Sequence, residues 1–154
     1  MIGPSAGVSR SLQAKRIRDV LDRRPPYVTG PPSERFQAEF REVVLGLRTR
    51  EQCVVLLSAV WCKPCQHLKH RLKETGRLGK IDAIVMINRL PETHFTKVVL
   101  AQNGIASAPV IPSVLVKAGG RVTSYYSAEV DDAGTFFLVD WDQSKVSFDE
   151  RMRR

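Results

Sequence analysis

Cys53-Val54-Val55-Leu56-Leu57-Ser58-Ala59 running into Val60-Trp61-Cys62-Lys63-Pro64-Cys65 is the stretch that decides the fold. Seven residues with almost no polar group read as a central strand covered on both faces. Two of the three cysteines follow at once, three positions apart, where a helix opens. Thiols at i and i+3 share one helix face and lie close enough to close a small disulfide ring. Cys62 falls where the first helical N–H groups are unpaired and the dipole is positive, so its thiolate is favoured over its thiol. Lys63 adds a cation beside it, and such surroundings bring a cysteine pKa well below its ordinary value. Cys62 is therefore the expected nucleophile. Cys65, one turn further in, is the thiol that would resolve a mixed disulfide. Pro64 suits an opening turn, where its missing N–H costs nothing.

The same spacing admits other readings. C-x-x-C is half of a tetrahedral zinc site, with Cys53, His67, His70 and His94 as further candidate ligands, although none of them forms a second spaced pair. It can also be an inert pair of small buried residues. The redox reading calls for no metal and no cofactor beyond a Cys62–Cys65 disulfide.

Composition frames the site. With 154 residues, 43% apolar and 26% charged, the chain can build one domain with a real core and some excess. No apolar run approaches the ~20 residues that span a bilayer, so no membrane partner is expected. Three cysteines do not make a disulfide framework, which fits a reducing compartment or an organelle matrix. The formal net charge is +8. Much of the excess sits in residues 1–30, where Arg10, Lys15, Arg16, Arg18, Arg23 and Arg24 occur with no acid before Asp19. Leu12, Lys15, Arg16, Ile17, Val20 and Leu21 can form an amphipathic helix, so the segment reads as a mitochondrial transit peptide. A solvated basic arm in a cytoplasmic protein, or one that holds nucleic acid or an acidic partner, is the other reading. Pro25-Pro26 and Pro31-Pro32 form a linker, residues 31–145 the domain, and 146–154 a polar tail.

Within the domain, Ser33 caps a helix bearing Phe36, Phe40, Val43, Val44 and Leu47 on one stripe. A second helix runs from Lys63 to Thr75. Ala83 to Ile87 is another central strand, and a helix over Thr93 to Asn103 stops at Gly104. Ser113–Lys117 and Arg121–Tyr125 form a hairpin through Ala118-Gly119-Gly120. The run Phe136-Phe137-Leu138-Val139 with Trp141 suits a buried helix or a strand, and helix is the reading adopted.

From Ser33 to Trp141 these residues resemble the thioredoxin family. The likeness is carried by Trp61-Cys62-Lys63-Pro64-Cys65 after its strand, by Asn103-Gly104-Ile105, by Ile111-Pro112 leading into Ser113-Val114-Leu115-Val116, and by Gly119-Gly120-Arg121-Val122. It implies an α/β thioredoxin-like fold, a central mixed β-sheet flanked by helices on both faces. It implies catalytic Cys62 and Cys65, support from Trp61, Lys63, Pro64 and a cis Pro112, and a substrate groove formed by Ile111 and Trp61. Expected partners are proteins with disulfides, and an upstream reductase or small dithiol that restores the pair.

The departures from the family pattern carry expectations too. Leu56 stands where a buried aspartate is usual, and Met86 where a lysine accompanies it, so the usual proton relay is missing and Cys65 should be a slower nucleophile. His70 replaces a helix-kinking proline, and residues 106–110, with Pro109, lengthen the loop before Pro112. Ala128 replaces a glycine, and its methyl group should restrict access to the groove. Together they imply a disulfide reductase with few clients. A thioredoxin-fold assembly factor with little turnover, for example on a ribonucleoprotein, is the second reading.

Overall fold

A computed structural model describes residues 30–106 and 111–153. The basic segment read as a presequence falls almost wholly on residues 1–29, and Pro109 on residues 107–110; both lie outside the described residues.

Helix α1 spans Glu34–Thr49, with the Ser33 hydroxyl accepting the Phe36 N–H at 3.1 Å. Phe40, Val44 and Leu47, spaced at i, i+4 and i+7, are its buried stripe. Strand β1 (Cys53–Ser58) is buried at every position. After it come α2 (Lys63–Glu74), a 3₁₀ turn (Leu78–Lys80), β2 (Ala83–Met86) and α3 (Leu90–Gln102). Strands β3 (Ser113–Ala118) and β4 (Arg121–Tyr125) complete a four-stranded sheet of order β2-β1-β3-β4, in which β2 is an edge strand and not the central one its apolar run suggests. It is mixed: β1 runs parallel to β2 and antiparallel to β3, and β3 is antiparallel to β4. The parallel pair requires a crossover, which α2 supplies. Gly119 and Gly120 close the β3–β4 hairpin at φ 65° and 79°, the positive values that a two-residue turn of this hand demands.

Because β1 lies inside the sheet, its alternating side chains enter two cores. Val55 and Leu57 join Leu115, Phe40, Leu47, Val99 and Leu100 under α1 and α3. Val54 and Leu56 join Val114, Val116, Leu68 and Leu72 under α2. The fold is thus α/β with helices on both faces of a mixed sheet, as the sequence implies.

The second face also carries what the sequence reading missed. Residues from Asp131 onward do not form the expected helix. Strands β5 (Ser127–Val130), β6 (Phe136–Val139) and β7 (Lys145–Ser147) make a three-stranded antiparallel sheet, followed by a short helix α4 (Phe148–Met152). Two turns impose this. Asp131 accepts the Gly134 N–H on its carbonyl at 3.0 Å and the Thr135 N–H on its carboxylate at 2.8 Å, with Gly134 at φ 83°. At the other end Asp140 and Gln143 close a turn with Gln143 at φ 71°. Only four residues lie between the turns, too few for a stable helix but a normal strand length. Phe136 and Leu138 face the core and Phe137 lies between environments. Trp141 is not buried: it is half-exposed, edge-on to Tyr126, and donates its indole N–H to the Ser124 carbonyl at 3.2 Å.

The stretch 146–154, read as a polar tail, contributes to the core. Val146 pairs with Leu138, and Phe148 stacks on Phe136 at 4.7 Å between ring centres. Arg151 is 1% exposed and donates to Tyr125 Oη at 2.9 Å, Thr123 Oγ1 at 3.1 Å and the Ala118 carbonyl at 3.3 Å. These bonds tie α4 to the β3–β4 hairpin, so the packed unit extends to the end of α4.

Candidate redox-active site

β1 delivers the chain to the sheet edge at Ser58, and a short turn redirects it into α2. Cys62 donates its N–H to the Ala59 carbonyl at 3.2 Å, and Gln66 Nε2 donates to the same carbonyl at 3.0 Å. Asn88, just past β2, braces the turn from outside. Its side-chain oxygen accepts the Val60 N–H at 2.9 Å and its carbonyl accepts the Trp61 indole N–H at 3.0 Å. Asn88 was not singled out in the sequence. The only signal was a polar residue directly after the apolar run Ala83–Ile87.

Cys62 is the N-cap of α2, and its sulfur accepts the Cys65 N–H at 3.2 Å. A sulfur takes the place usually filled by a serine or aspartate oxygen, so the Cys65 N–H, one of the orphan donors of the helix, points at it. Lys63 and Pro64 occupy the opening turn, which contains no acidic residue. Cys62 and Cys65 are joined in a disulfide, with Cα atoms 5.3 Å apart. Both are nearly inaccessible, Cys62 at 3% and Cys65 at 0% exposure. Lys63 is exposed, where water screens its charge, so the helix terminus is the stronger influence on the Cys62 sulfur.

The sulfurs pack with Ala59, Trp61 and Ile111. The Ile111–Pro112 peptide bond is cis, and the Ile111 carbonyl oxygen lies 3.8 Å from Cys62 Sγ. The structure therefore gathers Trp61, Cys62, Lys63, Pro64, Cys65, Ile111 and Pro112 at one edge of the sheet. Trp61 is half-buried at the rim and Val60, beside it, is 67% exposed.

The departures from the family pattern resolve individually. Leu56 is fully buried with Leu68 and Leu72, so the face beneath α2 is apolar there. Met86 is half-buried and touches the Lys69 amine. His70 leaves α2 continuous and lies 3.2 Å from Glu74. The Ala128 methyl group, expected to crowd the groove, is instead packed in the core under α2.

The other candidate zinc ligands do not converge on the pair. Among the described residues no three His, Cys, Asp or Glu side chains are grouped to hold a metal ion. Among those residues, also, no helix is long and apolar enough to cross a membrane. Cys53 is a free buried thiol, and burial, with a smaller contribution from the Asp82 carboxylate, pushes its pKa up. Alkylation of the reduced, folded protein at neutral pH is accordingly expected to label Cys62 first. Cys53 should stay unlabelled until denaturant is added, as peptide mass mapping will report.

No protein-family model matches the chain, and no curated protein matches it. Solved structures with similarity to it include thioredoxin O2 from Arabidopsis thaliana in its oxidized state, at 14% identity and TM-score 0.41, covering 67% of this chain and 84% of that one. Another is thioredoxin from Aeropyrum pernix, at 17% identity and TM-score 0.35, covering 66% and 73%. A third is thioredoxin NaTrxh from Nicotiana alata, at 18% identity and TM-score 0.34, covering 65% and 78%. With its mixed sheet, its cysteine pair opening α2 and a cis proline against the sulfurs, the chain is thioredoxin-like in fold, in a divergent form.

Proposed function

We propose that the protein is a thioredoxin-like protein-disulfide reductase acting on few clients. One observation carries this reading: the disulfide caps α2 with the Cys65 N–H directed at Cys62 Sγ, beside the Ile111 carbonyl. In the reduced protein the Cys62 thiolate attacks a client disulfide. One client sulfur leaves as a thiolate and takes up a proton, and the other is held to Cys62. The Cys65 thiolate then attacks Cys62 Sγ, forming the Cys62–Cys65 bond and expelling the second client thiolate. The client gains two electrons and the protein dithiol loses them. An external dithiol or a reductase restores the pair. The backbone at Ile111 offers the client chain an extended partner, and Val60 and Trp61 offer apolar contact.

Reduced protein carrying Cys65→Ser tests this with insulin as the client. A covalent adduct through Cys62 is expected to accumulate and to be released by dithiothreitol, whereas the native protein should turn over and accumulate none. Binding retained with no adduct would favour the assembly-factor reading.

A further inference from the structure

Lys69 lies on α2 one turn beyond Cys65. Helical side chains lean toward the N-terminus, so its stem runs back over the turn that bears Cys65. The Lys69 amine ends 3.9 Å from Sδ of Met86. Met86 pairs in register with Ser58, the residue from which β1 hands the chain to the cysteine segment. The ammonium is thus held against the sheet under the first half of α2. Ser58, the register partner of Met86, is fully buried, and its hydroxyl has no hydrogen-bond partner among the described residues.

Lys69 forms no salt bridge among the described residues. β2 carries no ionisable side chain, and β1 only Cys53, at its opposite end. On α2 the titratable or charged groups within a turn are Cys65, His67, His70, Arg71 and Lys73; His67, His70 and Lys73 are exposed, and His70 and Arg71 both lie beside Glu74. Glu129, on β5 across α2, is paired with Lys145. Desolvation lowers the Lys69 pKa. A cation drawn partly out of water without a counter-ion is stabilised by an anion that appears beside it. In the disulfide state no anion pairs with it among the described residues. When the dithiol is reduced, Cys65 can supply one.

We propose that Lys69 is a positioning residue for the resolving step: its ammonium favours the Cys65 thiolate and so sets the pH at which the mixed disulfide is resolved. This rests on the reductase reading above. The proton lost by Cys65 goes to solvent, its thiolate attacks Cys62 Sγ, and the bond from Cys62 to the client sulfur breaks. The apolar surroundings of Leu56 and Met86 leave this lysine as the charge that opposes the effect of burial on Cys65.

One equivalent of dithiobis(nitrobenzoate) added to the reduced protein separates the two steps. The first release of thionitrobenzoate reports attack by Cys62, and the second reports resolution by Cys65. In Lys69→Met the first release should stay within about twofold of native, while the midpoint of the second moves up by roughly one pH unit. A thiolate of higher pKa is scarcer near neutrality but more nucleophilic once formed. Resolution should therefore be roughly threefold slower than native near neutral pH and roughly threefold faster at high pH, so the two profiles cross. Lys69→Arg should return the profile toward native. Profiles of Lys69→Met and native protein that coincide, or uniform slowing at every pH, would overturn the proposal. Native protein that gives no second release would instead refute the reductase reading itself.

Discussion

Replacing Cys62 with serine is expected to lower insulin disulfide reduction by roughly a thousandfold or more, because the hydroxyl stays protonated where the thiol would ionise. Cys65 cannot substitute for it. That sulfur is fully inaccessible and lies inside the turn that Cys62 caps. The substitution keeps the cap, since a serine oxygen accepts the Cys65 N–H at least as well as sulfur does. Stability of the reduced variant should therefore stay within about 0.5 kcal/mol of the reduced native protein. Loss of activity with retained stability separates a chemical role from a structural one. Activity within tenfold of native would remove Cys62 as the nucleophile.

Arg151→Ala should destabilise the fold by ~3 kcal/mol, roughly 10 °C in Tm, by thermal unfolding with the disulfide intact. The buried guanidinium satisfies the Tyr125 hydroxyl, the Thr123 hydroxyl and the Ala118 carbonyl at once. Its removal leaves polar groups without partners in a dry site and opens a cavity beside Phe148 and Tyr125 in the core under α2. Arg153→Ala, two residues on and exposed, is the internal control and should change stability by less than about 0.5 kcal/mol. Equal effects of the two substitutions would show that burial of Arg151 contributes nothing.

The features legible in the sequence are those written in neighbouring residues. Ser33 before an apolar stripe, the unbroken run from Cys53, two glycines between two strands and cysteines three apart each carry their own physical reason. Phe136–Val139 was ambiguous because four apolar residues satisfy either period. The turns at Asp131 and Asp140 decide it through bonds made only in the folded chain. Arg151 and Lys69 were hidden for a related reason. A basic residue on a short or amphipathic helix reads as solvated, and only tertiary contact brings Arg151 to Tyr125 or Lys69 to Met86. Ile111 and Pro112 were nominated by resemblance to a family. Their approach to Cys62 from 49 positions away is a property of the sheet order, with β3 beside β1.

The clasp made by Arg151 also has a consequence in time. A chain emerging from the ribosome presents Cys62 and Cys65 about ninety residues before Arg151, an interval of roughly 5–20 s at ordinary elongation rates. During that interval α2 lacks β6, β7 and α4, which later share its core. The core on which Leu68 and Leu72 of α2 pack thus stays incomplete until those elements dock. The helix that opens at the cysteine pair is made early but closes its core late, once β7 and α4 have docked.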